Sequence, residues 1–154
     1  MVGVDTYITV EEANSIVDKY AIGDTEWTKL EKANKEKYLI NATLVIDSLR
    51  YNEGKSVKEQ PLAFPLKSMS DVPDDVKTAN ALEAYELTCF YADLDSQARE
   101  KLISQGVKSY SIGGELAETY GDKAKAKVGT LATLKSDRAR SLLKKYLLGT
   151  VKTV

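Results

Sequence analysis

The chain has 154 residues, 43% of them hydrophobic and 29% charged, with a formal net charge of −1; this suits one ordinary globular core and excludes a disordered or disulfide-dependent chain. No stretch approaches the roughly 18 consecutive apolar residues of a membrane span, and the opening MVGVDTYITVEE lacks a basic region followed by an apolar one, so no membrane or export signal is expected. The charge is split: residues 1–120 hold 13 Lys and Arg against 21 Asp and Glu, whereas residues 121–154 hold 9 against 2, pointing to an acidic partner, a nucleic acid or a second copy of the chain.

Thr9 and Glu12 read as a capping box opening a first helix over Val10 to Tyr20, with Val10, Ala13, Ile16, Val17 and Tyr20 at helical spacing and Gly23 just past its end. Trp27 anchors the connection to a second, long helix over Leu30 to Leu49, whose apolar stripe is Leu39, Ala42, Ile46 and Leu49. Residues 52–72 carry Pro61 and Pro65 and no sustained period, which predicts a long ordered loop with Leu62 and Phe64 plugged into the core.

Pro73 and the acidic pair Asp74 and Asp75 suit the start of a third helix, running to Ala92. Its second half is apolar nearly all round, the mark of a central helix or of one with a second buried face. Cys89 lies in that half and reads as a small buried hydrophobe. A further helical piece covers Ser96 to Gln105. Tyr110, Ile112 and Leu116 flank Gly113-Gly114, predicting a β-hairpin over about 107–120, with a short helix from Glu115 to Tyr120 as the competitor. A Lys/Ala/Gly connector follows, and Ser136 then caps a last helix carrying Leu142, Leu143, Tyr146 and Leu147. The expected fold is therefore mainly α, a small helical bundle with one hairpin: a single domain over 1–148, then an extended C-terminal arm over 149–154.

Catalytic chemistry is hard to place. Histidine is absent, removing the commonest general base and metal ligand. Gly54-Lys55-Ser56 resembles the end of a phosphate-binding loop, but Leu49 stands where the loop needs its first glycine. Ser141-Leu-Leu-Lys144 is a short pattern inside the helix stripe, Asn41-Ala-Thr43 falls mid-helix, and the pairs Asp74/Asp75 and Asp93/Asp95 suit helix ends. Glu83, on the apolar third helix, needs a partner, and a salt bridge to an arginine such as Arg50 is the expectation. The chain is accordingly expected to be non-enzymatic, with no cofactor and no metal.

Tyr7-x-Thr9-x-x-Glu12-Ala13, Trp27, Ala42-Thr43 with Ile46-Asp47, Gly54, Gln60-x-Leu62-x-Phe64-Pro65, Val72-Pro73 with Val76, Ala79 and Glu83, the Gly113 hairpin, and Leu142-Leu143 with Tyr146-Leu147 are, in that order, similar to a tailed-bacteriophage family labelled DnaT-like ssDNA-binding, whose members are head-to-tail connector or head-completion proteins. The likeness runs from about Tyr7 to Leu148. Phe64 stands where that family usually has tryptophan, and Leu66 where arginine is usual.

The resemblance implies a structural virion protein, assembled in the bacterial cytoplasm: an adaptor of about twelve copies closing a ring through a heterologous interface. The ring would join the portal to the tail, a stopper or a terminator protein. Double-stranded DNA would pass through its lumen without specific binding. Leu148, Gly149, Thr150, Val151, Lys152, Thr153 and Val154 would dock on the portal, β-branched and extended in preference. The split in charge adds that Arg140, Lys144 and Lys145 are expected to face acids of a neighbour such as Glu11, Glu12 or Asp18. Hairpin contacts would come from Tyr110, Ile112, Gly113, Gly114 and Leu116. The alternative is the single-stranded-DNA-binding protein of the label, with Lys and Arg on phosphates and aromatics on bases. The basic stretch 121–154 offers that reading a single aromatic, Tyr146.

Overall fold

The computed structural model describes residues 1–23, 25–105, 109–112, 116–119 and 131–149. In chain order these form α1 (Val10–Tyr20), α2 (Glu26–Lys29), α3 (Lys32–Asp47), α4 (Asp74–Ala92), α5 (Leu94–Ser104), β1 (Ser109–Ile112), β2 (Leu116–Thr119) and α6 (Asp137–Leu143), with single 3-10 turns at Leu131–Thr133 and Lys144–Tyr146. Among them no helix is long and apolar enough to cross a membrane. The fold is mainly helical, as expected.

Local signals explain most boundaries. Thr9 and Glu12 close the predicted capping box on α1: the Glu12 N–H donates to Thr9 Oγ1 at 3.1 Å and the Thr9 N–H to Glu12 Oε2 at 2.7 Å. Ser136 Oγ accepts from the Ala139 N–H at 3.2 Å and caps α6. The long second helix is present as α3, and the connection at Trp27 holds a short helix of its own. Thr25 caps α2 through Thr28, Leu30 is extended, and α3 begins at Lys32. β1 and β2 pair antiparallel, Ser109 opposite Thr119 and Ile112 opposite Leu116, so the hairpin replaces the competing short helix; Gly113 and Gly114 lie outside the described residues.

α4 is the axis of the bundle and packs against α3, α6, α1 and α2. From Ala79 to Ala84 every residue is buried, so all-round burial belongs to the middle of the helix, while Cys89 near its end is only half-buried. Glu83 is completely buried there. Its partner is not Arg50: Oε1 accepts from the Lys135 N–H and Oε2 from the Ser136 N–H, each at 2.8 Å. Burial holds this carboxyl above its ordinary range, while the two amides and the Arg140 and Lys135 charges pull the other way.

The long loop between α3 and α4 is ordered by the same device. Asp47, at the end of α3, accepts from the Tyr7 hydroxyl and from the Ala63 N–H (3.1 Å), and the Phe64 N–H donates to Tyr7 Oη at 3.3 Å. Leu62 and Phe64 are thereby buried, as expected for a loop plugged into the core, and Leu66 is buried with them. The Phe64 ring meets Tyr7, Tyr51 and Tyr146 edge-on, with centroids 6.1, 4.7 and 5.4 Å away. Leu66, where an arginine is usual, is a core residue here.

Glu83→Ala should lower stability by about 3 kcal/mol, because two buried amides lose their acceptor; an unfolding midpoint unchanged from wild type would contradict this account. The pH dependence has a definite sign. A carboxyl whose folded-state pKa is raised takes up its proton before the unfolded chain does, so its contribution is complete below the unfolded pKa and is lost as pH rises through the folded value. The gap in denaturation midpoint between wild type and Glu83→Gln should therefore narrow from mildly acidic pH towards neutrality.

Candidate functional site

Packing fixes which side of α3 is left for other work. Leu39, Ala42, Thr43 and Ile46 face the core, where Asn80 of α4 donates to Thr43 Oγ1 at 2.9 Å and to the Leu39 carbonyl at 3.3 Å. Asn34, Lys37, Tyr38 and Asn41, spaced three, one and three residues apart, form a second face. With Leu30 below and Tyr91 from the far end of α4, they line a cleft of about 450 Å³.

Each lining group brings a different chemistry. Tyr38 is half-buried and rests against the core, whereas Tyr91 is 56% exposed. Their rings stand 6.3 Å apart at 45°, a tilted aromatic contact. Asn41 Nδ2 donates to the Lys37 carbonyl at 2.8 Å, and Lys37 Nζ reaches Asn34 Oδ1 at 3.5 Å. Two carboxamides and one ammonium thus surround two aromatic faces, and none of the six lining residues is acidic although the chain has 23 acids. A planar, hydrogen-bonding, anionic ligand matches that set.

The residues singled out from sequence lie elsewhere. Arg140 Nη1 binds Asp137 at 2.6 Å and its Nε donates to the Leu134 carbonyl at 3.0 Å. Lys145 pairs with Asp75, which holds its ammonium above the usual range; Lys144 is exposed. Glu11 pairs with Lys32 at 2.5 Å, Glu12 closes the α1 cap, and Asp18 is exposed near the other end of that helix. Charges expected to face a neighbour are thus largely matched within the chain. Tyr146, the aromatic of the basic stretch, is half-buried against Phe64. Leu148 is 69% exposed and Gly149 has φ +86°, while Thr150, Val151, Lys152, Thr153 and Val154 lie outside the described residues. Tyr110, Ile112 and Leu116 are placed in the hairpin strands.

Sequence reasoning missed the cleft, although the spacing of Asn34, Lys37, Tyr38 and Asn41 carried half of the signal. The other half is Tyr91, which only the α3–α4 packing brings alongside.

The family model described as "Putative DnaT-like ssDNA binding protein" matches residues 1–154, and the chain belongs to that family. No curated protein and no solved structure matches the chain. The family match overturns the head-to-tail adaptor reading: what it describes is a single-stranded-DNA binder, the second of the two expectations drawn from the sequence. The virion head-tail connector assignment falls with the adaptor reading.

Because the Tyr91 ring is largely exposed, Tyr91→Ala should shift the unfolding free energy by no more than about 0.5 kcal/mol. Phe64→Ala, by contrast, removes the ring that three tyrosines pack against and should cost about 3–5 kcal/mol. Equal losses in chemical denaturation would show that Tyr91 is a packing residue and that the cleft is misjudged.

Proposed function

We propose that this member of the DnaT-like family binds single-stranded DNA, and that the cleft between α3 and the end of α4 holds unpaired bases. The observation that carries the reading is the pairing of Tyr38 with Tyr91 beside Asn34, Lys37 and Asn41, in a cleft without a carboxylate. Whole-chain family membership supports it independently.

Each component has a task that follows from its chemistry. Bases offer a π face whatever their identity, so the two tyrosines give affinity without sequence preference. Asparagine carries both a donor and an acceptor, suited to the exposed edges of a base that has no partner strand. Lys37 supplies a point charge for the phosphate between two bases. A duplex hides its base faces in the stack and would find one lysine and a largely acidic body, so the cleft favours single strands.

Fluorescence anisotropy with a labelled oligothymidylate tests this. Tyr38→Ala and Tyr91→Ala should each weaken binding by about 1–3 kcal/mol, roughly five- to 150-fold, the usual worth of one base–aromatic stack. Lys37→Gln should flatten the plot of log K against log salt by about 0.7, one phosphate contact on a single strand. Wild-type affinity in both tyrosine variants, or tighter binding to duplex of the same length, would overturn the reading.

A further inference from the structure

We propose that a bound strand does not end in the cleft but continues over the seam between α4 and α6, to a second stacking point where Arg138 covers Tyr20. This rests on the single-strand reading above and extends it to a second contact surface.

A line of rings and cations leads out of the cleft. Tyr91 touches Phe90, centroids 5.3 Å apart at 76°. Over the Phe90 ring sits Lys135 Nζ, 4.2 Å from the centroid. One helical turn further along the chain, the Arg138 guanidinium lies 5.5 Å from the Tyr20 centroid, and its Nη1 donates to the Tyr20 carbonyl at 3.2 Å. Tyr20 is exposed, and with Arg138, Leu82, Asp137, Ser141 and Leu142 it lines a second cleft of about 350 Å³. Leu82 and Tyr91 are nine residues apart on one helix, about 13 Å at the α-helical rise. At about 100° per residue the two also lie on opposite sides of α4, so the path between the clefts turns about the helix by way of Phe90 and Lys135.

The seam is also rigid at its middle. The Lys135 and Ser136 N–H groups are the two that Glu83 holds from below, so the turn carrying Lys135 and leading to Arg138 is fixed to the α4 axis. Acids temper it: Lys135 is paired with Glu100 at 2.5 Å, Asp137 is bound by Arg140, and half-buried Glu86 shares the field of Arg138. Its cations are thus partly neutralised, and its part is to stack bases on Tyr20 and on the Arg138 plane, with little bulk attraction for phosphate. A purely structural role would make Arg138 and Tyr20 a clasp between α6 and α1.

Binding of the full chain to oligothymidylates of stepped length, within the roughly 4–16 nucleotide range of single-strand sites, separates the two roles. Wild-type affinity should climb with length to a plateau. Tyr20→Ala and Arg138→Ala should match wild type on the shortest oligomer that binds, yet plateau earlier and fall roughly five- to hundredfold below it on the longest. Arg138→Lys keeps the charge and loses the stacking plane, so it should behave as Arg138→Ala in binding while melting as wild type does. Length profiles superimposable on wild type in all three variants, or a loss equal at every length, would overturn the extended path. The Tyr38 and Tyr91 variants then report separately on the first cleft, and failure of the wild type to bind any oligomer would reject the single-strand reading itself.

Discussion

A buried carboxylate with two backbone amides on it holds this molecule together. Glu83 sits at the middle of the most enclosed helix, where an unpaired charge would cost several kcal/mol. Two charge-assisted hydrogen bonds offset that cost, and both come from residues 52 and 53 positions later in the chain. Lys135 and Ser136 are thereby set at one height on α4. Ser136 then caps α6, and Ala139 and Leu143 turn into the core. An apolar residue at position 83 could fill the same volume, but it would leave two amides at a buried helix entrance without partners. Such a carboxylate specifies which arrangement forms.

Asp47 repeats the logic at the other side of the bundle. Its oxygens take the Tyr7 hydroxyl and the Ala63 N–H, joining the segment before α1, the end of α3 and the long loop at one point. Burial pushes its carboxyl up, and burial together with the neighbouring Asp47 charge pushes the Tyr7 hydroxyl up as well, so at neutral pH the hydroxyl keeps the proton it donates. With the loop fixed this way, Phe64 meets three tyrosines, each contact adding about 0.5–1.5 kcal/mol beyond its burial. Two carboxylates thus tie down the two segments of the described chain that have the least regular structure. α3 gains from both sides: its inner face is committed to the core through Thr43 and Ile46, and its outer face is left to Asn34, Lys37, Tyr38 and Asn41.

What could be read from the sequence was what depends on near neighbours in the chain. The α1 capping box, the Ser136 cap, the central character of α4 and the hairpin strands rest on spacings of a few residues, and all are present. The short α2 was missed because Thr25 and Thr28 cap it without the glutamate or glutamine of the usual box. Glu83 announced its need for a partner but not the partner, since no charge pattern reveals a backbone amide. The same limit applied to the site. A tally of Lys and Arg drew attention to residues 121–154, yet among the described ones Lys135, Arg140 and Lys145 are paired with acids of the same chain. The cleft has a single lysine, so a charge count passes over it.

That contrast bears on how a nearly neutral chain could hold an anionic polymer. Long-range attraction scales with net positive charge, and at −1 this chain has none to offer. Affinity built on phosphate contacts alone would moreover fall steeply with salt. Stacking has neither dependence: it needs exposed rings with room beside them, and it acts only on bases that have left a duplex. Tyr38 is packed against the core while Tyr91 and Tyr20 are exposed on their helices, an arrangement that costs little ordering entropy because the helices already hold the rings. Selectivity for single strands would then follow from a cleft that pairs two rings with a single lysine, because a duplex offers phosphates that one cation holds weakly and bases that the rings cannot reach.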